Sequence, residues 1–176
     1  MSTPSNLAVV VGPDAPGRLV IRSVPEPVPD RGEAIVRVRA LSLNRGEVRR
    51  STMAAAGWRP GWDLAGVVER AADGTGPEVG ARVVGFLPEG AWAQRVAVPK
   101  NALAVLPDKV TFSQAATFPV AGLTALLALG KSGPILGKRV LVTGATGGVG
   151  DFAVQLARLR GAPVPPRGGG PRQVPA

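Results

Sequence analysis

Cysteine and histidine are both missing from the 176 residues of this chain. Without cysteine there is no disulfide framework, no thiolate metal site and no cysteine nucleophile. Without histidine the commonest general base and the imidazole ligands of zinc are missing as well. Chemistry must therefore run on a cofactor, hydroxyls, carboxylates, amides, lysine or arginine. No apolar run approaches the roughly 20 residues that cross a bilayer, so no membrane partner is expected. The opening MSTPSNLAVV lacks the basic region and long apolar stretch of a secretory signal, which points to a cytoplasmic protein. Acidic residues are scarce, 12 against 21 lysines and arginines, for a formal charge of +9. Yet the basic residues are scattered from Arg18 to Arg172 and run no longer than pairs such as Arg49-Arg50. The clustered basic face that nucleic acid needs is not visible, so no nucleic-acid partner is expected.

What is present is apolar. Hydrophobic residues make up 45% of the chain, enough for a sizeable core and too many for a disordered one. Leu7 to Val11 and Arg18 to Val24 read as short strands with a Gly12-Pro13-Asp14 turn between them. Pro25, Pro27 and Pro29 make an extended connector. From Glu33 to Leu43 the pattern alternates: Ala34, Val36, Val38 and Ala40 fall on one side, Arg37 and Arg39 on the other, as in a half-buried strand. Leu64 to Glu69, Ala81 to Phe86 and Trp92 to Val98 are further short strands between Gly/Pro/Asp turns, which predicts a small barrel or sandwich.

Character changes near Pro107. Thr111 or Ser113 caps a helix containing Gln114, Ala115 and Ala116, interrupted at Pro119. Ala121 to Leu129 is a second, strongly apolar helix closed by Gly130. Lys138 to Ala162 then reads strand, glycine-rich turn, helix. Val140, Leu141 and Val142 form a run expected to be covered on both faces. Phe152, Leu156 and Leu159 mark one buried helix face. Gly147 and Gly148 leave no Cβ between backbone and ligand, so a pyrophosphate can approach the free N–H groups of the first helical turn, favoured by the helix dipole. Gly150 allows close packing behind it. A glycine-rich turn that binds nothing is the other reading of this stretch.

Four stretches in order carry a family resemblance: Ser42-Leu43-Asn44, Pro60 to Val68 (PGWDLAGVV), Gly122-Leu123-Thr124-Ala125, and Val142 to Gly150 (VTGATGGVG). Together they resemble the medium-chain dehydrogenase/reductase superfamily, in its zinc-free branch of NADPH:quinone oxidoreductase-like enzymes. The resemblance runs from about Leu7 to Ala162. It implies an α/β plus β fold: a GroES-like, partly open β-barrel domain at 1–107, then the start of a Rossmann dinucleotide-binding domain at 108–162, with a Pro/Gly/Arg-rich tail at 163–176. Zinc-dependent members carry a cysteine ligand near the position of Asn44 and a histidine near Trp62, and neither residue here is such a ligand. Hydride transfer without a Lewis acid suits an activated acceptor, a small-molecule quinone or enone.

The same resemblance implies the site. Asn44 and Thr124 lie at the nicotinamide end, Asn44 offering its amide to the substrate carbonyl or cofactor ribose. Thr143, Ala145, Thr146, Gly147, Gly148 and Val149 follow along NADP(H), with NADPH favoured over NADH. A strand-end asparagine turn and a threonine bonded back within its helix are the alternatives for Asn44 and Thr124. Asp63 is expected to hold nearby backbone, Trp58 and Trp62 to pack. Asp151 suits the helix dipole but weakens pyrophosphate binding if it points at the same amides. A homodimer is left open.

After Ala162 the family continues into a second strand, and about 20 positions beyond the glycine turn an acidic residue reads the ribose of NAD. Here PVPPRGGGPRQVPA follows, without an acidic residue, though Arg167 and Arg172 carry charge suited to a 2′-phosphate. That tail reads as an out-of-frame or truncated product of a family about twice as long. The alternative expectation is thus a non-catalytic remnant, a folded β-domain with a partial nucleotide site.

Overall fold

The computed structural model describes residues 5–74 and 76–164; Arg167, Arg172 and the remainder of the tail lie outside the described residues. The first two apolar runs form a ribbon, β1 (Ser5–Val11) antiparallel to β2 (Leu19–Pro25), with Ala8 opposite Arg22. The alternating segment becomes β3 (Glu33–Leu41), and the expected strands after it become β4 (Asp63–Arg70), β5 (Arg82–Phe86) and β6 (Arg95–Pro99). A short β7 (Leu103–Val105), absent from the sequence reading, completes an antiparallel sheet ordered β6-β3-β4-β5-β7. Ala34 and Val36 of β3, Leu64 and Val68 of β4, Val83 of β5, and Val96 and Val98 of β6 pack into one core that also takes Ala8 from the ribbon. These are the inward positions of period-2 strands, so burying them curls the sheet around its own apolar face.

Two close approaches hold this domain in register. β3 shifts register against β4 between Val38 and Ala40, and there a Cβ on Gly66 would stand 2.2 Å from the Arg37 carbonyl oxygen. Asn6, fully buried, ties the ribbon to β6 from both sides: its Nδ2 donates to the Arg95 carbonyl (2.7 Å) and its Oδ1 accepts from the Arg95 N–H (3.0 Å).

Helix α1 (Arg45–Ser51) was not foreseen from the sequence. Helix α2 (Phe112–Ala116) starts where expected, capped by Thr111, whose Oγ1 accepts from the Gln114 N–H at 3.2 Å. Its Ala115 and Ala116 pack with Ala65 and Leu106. Helix α3 (Pro119–Lys131) departs from expectation at both ends. Pro119 begins the helix instead of interrupting one, since a first-turn proline loses only an N–H that has no helical partner anyway. Gly130 lies inside it, and the left-handed glycine comes after the helix at Gly133 (φ +72°).

The chain divides into two compact units, the first ending at Val120 and the second beginning at Ala121. In the second, Leu129, Ile135, Ala157 and Ala162 form a small core supported by Val140, Leu156 and Val164. Two expectations fail there. Residues 140–142 form no strand and pair with none among the described residues; Val140 N–H donates to the Pro163 carbonyl (3.1 Å), and Leu141 is 57% exposed. An apolar run becomes a ladder strand only when another strand lies beside it. Likewise α4 (Gly148–Leu159) buries Ala157 and half-buries Leu156, while Leu159 lies outside the small core and is 83% exposed.

Candidate functional site

Asn44 sits at the end of the segment leaving β3. The indole Nε1 of buried Trp92 donates to the Ser42 carbonyl at 3.2 Å and holds that segment. Asn44 is the residue that starts α1, and the helix turns back through Glu47, whose Oε1 accepts from the Asn44 backbone N–H at 2.7 Å. This is the reciprocal half of a capping box. The stretch Pro60-Gly61-Trp62 brings a second carboxylate to the same place. Gly61 has φ +114°, and a Cβ on it would stand 2.3 Å from the Trp92 amide nitrogen, so only glycine lets the chain pass there and place Asp63 at the start of β4. The Trp62 ring lies over α1, where a Cβ on Gly46 would come within 2.7 Å of it.

The result is a trio in which half-buried Asn44 joins two buried carboxylates. Asn44 Nδ2 donates to Glu47 Oε1 (3.0 Å) and to Asp63 Oδ2 (2.8 Å). Asp63 Oδ1 accepts from the Val120 N–H (3.0 Å), in the first turn of α3. Both carboxylates are fully buried, and Glu47 Oε2 has no partner in good hydrogen-bond geometry. Burial pushes the Glu47 carboxyl above its ordinary range, against the opposing hydrogen bonds from Asn44 and the pull of the Trp62 backbone, and the Asp63 charge adds to the rise. Burial also raises Asp63, opposed by its bonds from Asn44 and Val120. Asp63 thus holds backbone as the sequence reading expected, and holds Asn44 as well. Glu47 is the residue that reading missed, although Asn44-x-x-Glu47 is a helix-start signature.

In the second unit, Thr143 to Val149 form an exposed turn. Gly144 has φ +65°, and its carbonyl accepts from the Gly147 N–H at 2.9 Å. Gly147 starts α4 with no side chain capping it, so the N–H groups of Gly148 and Val149 are open to an anion at the positive end of the helix dipole. A Cβ on Gly150 would stand 2.0 Å from the Gly144 oxygen; the close approach that this glycine permits is to the turn itself. Asp151 accepts from Gln155 Nε2 (2.8 Å) one turn along α4, away from those amides. The bare amides, the absence of a Cβ at Gly147 and Gly148, and the dipole together fit a pyrophosphate. Thr124 is exposed on α3, and its hydroxyl makes no hydrogen bond among the described residues, so it is not bonded back into its helix.

Residues 30–108 match the alcohol dehydrogenase GroES-like domain. Over 108 residues the chain is 42% identical to a highly reducing polyketide synthase of Arthrinium phaeospermum, a match covering 59% of this chain and 4% of that protein. It is 36% identical over 155 residues to the chloroplastic quinone-oxidoreductase QR1 of Triphysaria versicolor, covering 77% of this chain and 46% of that one. Its fold superposes on the quinone oxidoreductase of Thermus thermophilus, solved also in complex with NADPH, with a TM-score of 0.77 and 36% identity over 90% of this chain and 52% of that one. The chain therefore spans about half the length of these oxidoreductases. With the GroES-like sheet, the Asn44 segment and the glycine turn in one order, the chain carries a GroES-like domain over 30–108 and is similar along most of its length to quinone oxidoreductases of the medium-chain dehydrogenase/reductase superfamily.

Proposed function

We propose that this chain carries the binding elements of an NADP(H)-dependent oxidoreductase that reduces a small quinone or enone without a metal. The observation that carries the reading is the start of α4: amides of Gly148 and Val149 left bare above a turn whose geometry excludes a Cβ at Gly150. Thr143, Ala145, Thr146, Gly147, Gly148 and Val149 would hold the pyrophosphate and its flanks, and Asn44 and Thr124 the nicotinamide end. When bound, the nicotinamide supplies the hydride. The chain's own part is to bind, orient and exclude water. The NADPH complex of the Thermus thermophilus relative supports NADPH over NADH. Asn44 and Trp62, standing where the zinc-dependent relatives have cysteine and histidine, support a metal-free reaction. No helix among the described residues is long and apolar enough to cross a membrane.

The test is a fluorescence titration of the chain with NADPH and, in parallel, NADH. Saturable micromolar binding that Gly148→Asp weakens, by setting a carboxylate against the anion site, supports the reading. A folded chain that binds neither nucleotide up to millimolar concentration overturns it.

A further inference from the structure

We propose that the free edge of β3 at residues 39–41 receives an extended peptide strand of another protein, apolar at alternate positions and acidic beside Arg39. The two sides of β3 are paired over different lengths. Against β4 the pairing runs on to Leu41, opposite Leu64, whereas against β6 it stops at Arg37, opposite Arg95. One further bond, from the Val38 N–H to the Gln94 carbonyl (2.9 Å), closes that side. The segment 92–94 is given to the ribbon: Val9 N–H donates to the Trp92 carbonyl (2.8 Å) and Gln94 N–H to the Leu7 carbonyl (2.9 Å). Residues 39–41 are left with β4 on one side and, among the described residues, no backbone partner on the other. An unpaired strand edge is a template for another extended chain.

The surroundings indicate what that chain is made of. Between the free edge and the ribbon lies a groove of about 350 Å³, walled by Val9, Ile21, Ala40, Leu41 and Trp92. A second hollow of about 290 Å³ adjoins it, shares Val9, Ile21, Leu41 and Trp92, and reaches Leu43. Around them Leu7 is 43% exposed, Ile21 67%, Leu41 41% and Leu43 67%. A bulge and a charged residue, both present near Arg39, are ordinary guards of a strand edge. Four exposed aliphatic side chains on the rim do not belong to such a guard; they form a surface that gains by being covered.

Charge selects the partner. No acidic residue lines either hollow, and exposed Arg39 makes no ion pair or hydrogen bond among the described residues. A second copy of this chain, at a formal charge of +9, would bring like charge to it. Arg39 and Leu41 are both exposed while Ala40 between them is half-buried, so they share one face of the strand. An incoming carboxylate two positions from an apolar residue meets both. The surface lies wholly within the first unit and needs no nucleotide.

The test uses the full chain, isotope-labelled for NMR, and the acetylated, amidated peptide Thr-Val-Glu-Val-Val-Thr. Saturable binding with a Kd below about 1 mM, with slowed amide exchange within residues 39–41, is expected. Two further peptides carry N-methyl groups on alternate residues, one set for each edge of the peptide; the set facing β3 loses binding and the other keeps it. Lysine in place of the peptide's glutamate weakens binding about fivefold, and in Arg39→Glu the preference reverses. Ile21→Asp, at an exposed rim position, weakens both peptides. Should that variant not fold, the reversal at Arg39, whose side chain makes no bond in the fold, decides alone. Binding that protects no amide at 39–41, tolerates both methylated forms or ignores the Arg39 reversal overturns the proposal. So does a folded chain that binds none of the peptides at millimolar concentration. Protection of 39–41 that rises with the concentration of the chain alone marks the edge as self-pairing and overturns it too.

Discussion

Replacing Gly150 with alanine places a methyl carbon 2.0 Å from the Gly144 carbonyl oxygen and 2.7 Å from the Ala145 Cα. Carbon atoms of side chains essentially never come within 3.0 Å of such neighbours, so turn and helix must part by at least about 1 Å. Nothing flexible absorbs this, because every close atom is backbone, and the turn is pinned by the Gly147–Gly144 hydrogen bond. Overpacking of this kind costs about 2–3 kcal/mol, of which the better helix propensity of alanine offsets up to about 1 kcal/mol. Gly148→Ala makes the opposite case two residues earlier. There the nearest atom is the Ala121 Cβ at 3.8 Å, an ordinary contact, and φ is not positive. That variant should gain about 0.5 kcal/mol by restricting the unfolded chain. Between the two variants α4 should differ by roughly 2 kcal/mol, a ratio on the order of 30-fold in amide exchange if the helix opens locally. Tryptophan fluorescence would miss it, since Trp58, Trp62 and Trp92 all belong to the first unit. Hydrogen exchange by mass spectrometry over residues 148–159 is the appropriate assay. Equal protection of α4 in both variants, or greater protection in Gly150→Ala, would refute the close approach.

The remaining predictions concern the first unit. Gly66→Ala drives a Cβ to 2.2 Å from the Arg37 carbonyl oxygen in the middle of the sheet, and should cost about 3 kcal/mol or prevent folding, read from urea denaturation or soluble yield. Asn6→Leu keeps the volume but leaves the Arg95 N–H and carbonyl without partners, a loss of about 2–4 kcal/mol by the same denaturation. Glu47 has a folded-state pKa raised above its ordinary 4.5, so the folded chain keeps this proton to higher pH than the unfolded one. Its ionisation therefore lowers stability as pH rises through that window, and the loss persists above it. Glu47→Gln should gain stability relative to the unaltered chain as pH increases over the same interval; a pH-independent difference would contradict the burial argument.

Legibility in the sequence followed how local each signal is. The alternation at 34–40 announces β3 because one side chain in two meets the core, and the surrounding strands carry the same mark. Helix α1 has no such mark: RGEVRRS is short, polar and begins with a glycine in its first turn, and it is held by Glu47 buried against Asn44 and by Trp62 lying over Gly46. The strand reading of 140–142 and the buried reading of Leu159 erred for one reason. Both took apolar character as evidence of a neighbour, and in the described residues that neighbour is not beside them. Asn44 was legible through its resemblance and its strand-end position. Its orientation was not, because Asp63 arrives from 19 residues away and Val120 from further still.

The bond pair between Asn6 and Arg95 also sets an order of events. The two residues are separated by 89 positions, so this part of the ribbon's docking waits until β6 has been made, whereas Val11 already meets Gly57 and Trp58 through a pair of backbone hydrogen bonds of 2.8 Å. A two-stranded ribbon by itself is marginal in water, so β1 and β2 depend on these docking contacts. The Asn6–Arg95 contact is thus made only after the strands between them in sequence exist. That closure spans most of the first unit and gives the domain the slow, non-local folding character of a high-contact-order β fold.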